Sequence, residues 1–211
     1  MQARSSSPYN EMSQPPTPEP LRGVVVAAGV EASFRHPESA TEQAARRLAR
    51  ALSLPHRRIG EPRAPHEELR QLQASDGGWL ASLPLDPGQP LQDGGTWAEA
   101  LGAWRQPTLL ILPWQQLPSG AAASTVALLR QWRVPLLGVL QWGGTWRAEQ
   151  RRRDGLPWLG RLEEAMVADD DGGRPVSDLL LRRWSLLDHP WPPARRERPE
   201  GVDQGVGQSG R

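Results

Sequence analysis

Few residues in this chain are placed to do chemistry, and two reactive types are missing altogether. Cysteine and lysine are both absent, so all 25 basic residues are arginine. Without cysteine there is no disulfide framework, no thiolate metal site and no thiol nucleophile. Without lysine there is no Schiff base, no Ser–Lys dyad and no phosphate-loop lysine. Arginine supplies the charge, but its planar fork does not fit a site shaped for an ammonium. The four histidines, His36, His56, His66 and His189, are scattered, with no i, i+4 pair and no acidic neighbour pattern for a metal. Asp169, Asp170 and Asp171 could offer oxygen to a hard cation. They lack the alternating spacing of a calcium loop and read better as a solvated turn. Ser119 and Gly120, in "PSGAA", open a helix and could present backbone amides to an anion, with no general base beside them.

Charge narrows the partners. The formal net charge is +1, so no overall field draws the chain to nucleic acid or membrane. Arg147, Arg151, Arg152 and Arg153 lie close together near tryptophans, a pairing that can serve phosphate contact and stacking. Glu149 and Asp154 interleave with them, so a solvated helix face is expected and no nucleic-acid partner. No apolar run reaches the roughly 20 residues of a membrane span, and no charged–apolar–small leader opens the sequence. A soluble, cytoplasmic protein is the expectation.

The elements that must position these residues follow from hydrophobic pattern. Residues 1–20 and 191–211 are polar and rich in Pro, Ser, Gln or Gly, and are expected to be disordered tails around a single α/β domain at 21–190. "RGVVVAAGV" is a continuous apolar run, as in a strand buried on both faces. Ser39 with Glu42 three residues later predicts a capped helix, carried on by Ala44, Leu48 and Leu52 and stopped by Pro55. "HRRIGEPR" suits a short exposed strand, "EELRQLQA" a weak helix or strand, and "GGWLASLPLD" a strand. Thr96 with Glu99 caps a short helix, "TWAEALGAW". "PTLLILP" and "VPLLGVLQW" are buried strands around a helix that places Ala122, Val126, Leu129 and Trp132 on one face. A polar helix stopped by Gly155, a last strand "LPWLGRL", and an amphipathic helix carrying Val176, Leu180, Trp184 and Leu187 complete the chain. Alternating strands and helices predict a mostly parallel sheet of about five strands flanked by helices.

Ten tryptophans stand against one tyrosine and one phenylalanine. Trp114, Trp142 and Trp146 fall at or just after strand ends, where ligands bind in open α/β sheets. They could line a pocket or a partner interface, or simply roof the sheet. The amphipathic helix at 176–188 is a further candidate interaction surface.

Three segments resemble dethiobiotin synthetase and its relatives in the P-loop NTPase superfamily. They are "SDGGWLASLPLD" (75–86), "DGGTWAEALGAWRQPTLLILPWQQLPSGAAASTVALLRQWRVPLLGVLQW" (93–142) and "DGLPWLGRL" (154–162). The resemblance implies a P-loop NTPase-like three-layer sandwich with ATP and Mg as cofactors. It places nucleotide contacts at Gly29, Arg35, Ser119, Gly120 and Gln141, the last standing where the family has a base-holding asparagine. Aligned on Gly77 and Gly78, the family's acidic metal-contacting residue falls on Ala74, with Asp76 close by as the magnesium candidate and Glu31 and Asp86 as further candidates. The junction after the first strand, "AAGVEASFRHPES", has no G-K-[ST], and a family substrate lysine has no equivalent. The expectation is therefore a degenerate, non-catalytic relative that serves as a scaffold for a protein partner or small molecule, with a homodimer compatible. The alternative is an Mg-dependent, ATP-driven ligase with a divergent phosphate loop.

Overall fold

A computed structural model describes residues 24–28, 39–59, 64–75, 77–163 and 174–187. Both expected tails lie outside the described residues. Six strands, β1 (Val24–Ala28), β2 (His56–Arg58), β3 (Leu80–Leu83), β4 (Thr108–Pro113), β5 (Leu136–Trp142) and β6 (Trp158–Leu162), form one sheet in the order β2-β3-β1-β4-β5-β6. Every neighbouring pair is parallel. The expected count of about five strands is thus six. The segment read as a short exposed strand is β2, three residues long at the sheet edge.

Helices α1 (Ala40–Ala51), α2 (Pro65–Gln73), α3 (Trp97–Ala103), α4 (Ala121–Gln131), α5 (Ala148–Arg153) and α6 (Arg174–Ser185) alternate with the strands. Two starts follow the sequence signals directly. Ser39 Oγ accepts the Glu42 N–H at 3.1 Å, and Thr96 Oγ1 accepts the Glu99 N–H at 3.1 Å. The weak segment "EELRQLQA" is helical, because Pro65 starts α2 and Leu69 and Leu72 bury one stripe. A 3-10 helix, Trp114–Ser119, separates β4 from α4. No sequence signal announced it.

β4 shows how the layers are built. It is buried along its whole length, and its side chains alternate between two cores. Leu109 and Ile111 pack with Ala44, Ala45, Leu48 and Ala49 of α1 and with Val176 and Leu180 of α6. Leu110 and Leu112 pack with Ala122 and Val126 of α4. Further along that second face, Ala81 and Leu83 of β3 meet Leu69 and Leu72 of α2 and Leu101 of α3. Helices therefore cover both faces, as an all-parallel sheet requires. Trp184 and Leu187 of the C-terminal amphipathic stretch pack against the α1–α6 core. Trp132, expected on the core face of α4, is instead the capping residue beyond that helix and is 38% exposed. Helices α3 and α4 approach so closely that a Cβ on Gly102 would overlap the Trp132 carbonyl.

Candidate functional site at the carboxyl edge of the sheet

Because all six strands are parallel, their carboxyl ends and the starts of the following helices share one edge. In open α/β sheets that edge holds the ligand. Of the residues singled out in the sequence, Gly29, Arg35 and Asp76 lie outside the described residues, as do Glu31, His36, His189 and Asp169–Asp171. Asp86 lies at this edge and is committed to its own turn, where Oδ1 accepts the Gly88 N–H at 2.8 Å.

Three candidates gather around the loop between β5 and α5. Gln141 is fully buried. Its Nε2 donates to the carbonyls of Gly143 at 2.8 Å and Thr145 at 3.2 Å, while Oε1 accepts from Arg151 Nε at 3.4 Å. The amide thus clamps its own loop. Trp114, 46% exposed, packs against Gly144, whose φ is +64°. A Cβ on Gly144 would sit 2.5 Å from Trp114 Cγ. Trp146 meets Trp158 edge to face, with centroids 6.0 Å apart. Arg151 lies 4.9 Å from the centre of the Trp158 ring and pairs with Asp154 at 3.3 Å. Asp154 in turn accepts the Trp158 indole N–H at 2.7 Å.

Trp142 does not join this group. It points to the opposite face and is buried in the α1–α6 core. Ser119 and Gly120 end the 3-10 helix. Ser119 Oγ donates to the Gln116 carbonyl at 2.6 Å, and α4 starts from Gly120, at φ +72°, without a side-chain cap.

The start of α1 carries a polar cluster of which the sequence disclosed only the Ser39–Glu42 cap. Glu42 is 2% exposed and ion-pairs with Arg46 at 2.8 Å and with Arg58 of β2 at 3.5 Å. Beside it, His56 Nε2 lies 3.1 Å from Ser82 Oγ. Burial and then the Arg46 charge hold His56 below the usual histidine value of 6.5, against the opposing pull of Glu42. The i, i+4 spacing of Glu42 and Arg46 was legible, but nothing in the sequence assigned Arg58 to the same carboxylate.

A cleft of about 640 Å³ opens between the first turns of α2 and α3. His66, Glu67 and Arg70 form one wall, and Asp93, Gly95 and Glu99 line the other. His66 Nδ1 accepts the Trp104 indole N–H at 2.8 Å. Indole only donates, so neutral His66 carries its proton on Nε2. Arg70 is ion-paired with Glu67. The sequence named His66 as a scattered histidine and Thr96 with Glu99 as a helix cap, but did not bring them together, since they stand on two separate connections.

Among the described residues, no group of three or more His, Asp or Glu could hold a metal ion, and no helix is long and apolar enough to cross a membrane. No protein-family model matches the chain. No curated protein matches it at a significant level.

Proposed function

We propose that the chain is a dethiobiotin synthetase-like member of the P-loop NTPase superfamily that keeps the three-layer scaffold without phosphoryl transfer. It acts as a binding protein for a protein partner or small molecule through its strand-end surface. The observation that carries this reading is Glu42. The start of α1 is where a P-loop protein directs free amides and a lysine at a triphosphate. Here the Glu42 N–H is taken by Ser39, and a buried carboxylate occupies that first turn. Its charge already answers the helix dipole and is itself held by Arg46 and Arg58. The absence of lysine removes the usual counter-charge as well. The internal commitment of Gln141 points the same way, because its amide is engaged by Gly143, Thr145 and Arg151.

Calorimetry of the full chain with ATP and magnesium tests the proposal. The expected outcome is no binding heat at millimolar ATP. Binding at about micromolar strength would overturn the proposal and favour the ATP-dependent ligase alternative.

A further inference from the structure

The polar cluster between α1 and the sheet edge has a second property, independent of whether the chain binds nucleotide. β2 is only three residues long and pairs on one side, with β3. An edge strand of that length needs help from side chains to stay in place. Two ties supply it. Arg58 reaches Glu42 of α1, and His56 reaches Ser82 of β3. The groups acting on His56 are Glu42 and Arg46 from α1 and the neutral hydroxyl of Ser82 from β3, while Arg58, two residues along its own strand, is paired with Glu42. The imidazole is half-buried there, so its neutral form suits the position and an imidazolium would have to be buried beside Arg46.

We infer that His56 is a proton-sensitive latch that holds edge strand β2, and through it the α2 wall of the carboxyl-edge cleft, to α1 and β3. The mechanical link is short. β2 is followed by Ile59, which is buried against Leu69 and Leu72 of α2 and whose N–H donates to the Ser82 carbonyl at 3.2 Å. Six residues beyond Ile59, Pro65 begins α2, whose first turn lines the cleft. When His56 takes a proton, the cost of burying its charge and repulsion from Arg46 oppose the packed position of β2. The strand then loosens while the central strands β1, β4 and β5 stay paired. Acidification would thereby reshape the cleft without unfolding the domain.

Amide hydrogen exchange on the full chain tests this, measured at about pH 7.5 and about pH 5 and corrected for intrinsic exchange. The inference expects the β2 and Ile59 amides to exchange severalfold faster at the lower pH, with β4 and β5 amides unchanged. His56→Gln keeps a group able to bond Ser82 but cannot titrate, so its β2 exchange should show no pH step. Equal protection of β2 at both pH values overturns the latch. So does the same pH step in wild type and His56→Gln. Loss of protection across β4 and β5 together with β2 also overturns it, because that is global unfolding. None of these outcomes depends on the ATP titration, so the two proposals stand or fall separately.

Discussion

Glu42, Gln141 and Gly144 each show how one residue's setting decides its role. A glutamate at the third position of a helix is ordinarily a solvated capping-box partner. Glu42 is buried with two arginines instead, and this turns a local cap into a tie between α1 and β2. Gln141 is the penultimate residue of a buried strand, where a free amide could read a ligand, yet its amide is committed to Gly143, Thr145 and Arg151. Gly144 is required twice over. Its φ of +64° disfavours a side chain, and Trp114 occupies the space a Cβ would need. Gly144→Ala should therefore cost about 1–3 kcal/mol, read as a lower denaturation midpoint with an unchanged slope. An unchanged midpoint would mean that Trp114 swings away freely.

At the scale of elements, the caps carry the argument. Ser39 and Thr96 each accept one first-turn N–H at the same distance of 3.1 Å. Ser39→Ala and Thr96→Ala should each cost about 1 kcal/mol, measurable by urea titration. Ser39 is the more buried of the two, so its loss leaves the Glu42 N–H with less access to water, and it should be the more costly change. Equal or negligible losses would show that tertiary packing alone holds α1 in place. The third element of interest is α6. Its apolar stripe was legible as an amphipathic helix, a pattern that fits a docking surface as well as a core face. In the fold that stripe closes over β5 and β6 beside α1.

For the whole molecule, the pH dependence of stability follows from His56. Its folded value is lowered, so the unfolded chain binds the proton more readily. The contribution is fully present above the unfolded value near 6.5 and is lost as pH falls from there through the folded value. Thermal melts should show a falling midpoint below about pH 6.5, and His56→Gln should remove that component while leaving losses at still lower pH. A midpoint flat across this range in the wild type would place His56 in water rather than beneath α1.

The sequence by itself determined the alternation of strands and helices, two helix caps, the buried character of β4 and β5, and the chemistry ruled out by the absence of cysteine and lysine. Those features are local: hydrophobic period, cap spacing and residue type act within a few positions of one another. Tertiary structure decided what is long-range. It set HRR, read from sequence as a short exposed strand, at the sheet edge beside β3. It turned Trp142, the last residue of β5, into the α1–α6 core and left Trp114 exposed on the 3-10 helix that follows β4. It brought Arg58 to Glu42 and set His66 across a cleft from Asp93, contacts between segments that only sheet order makes neighbours.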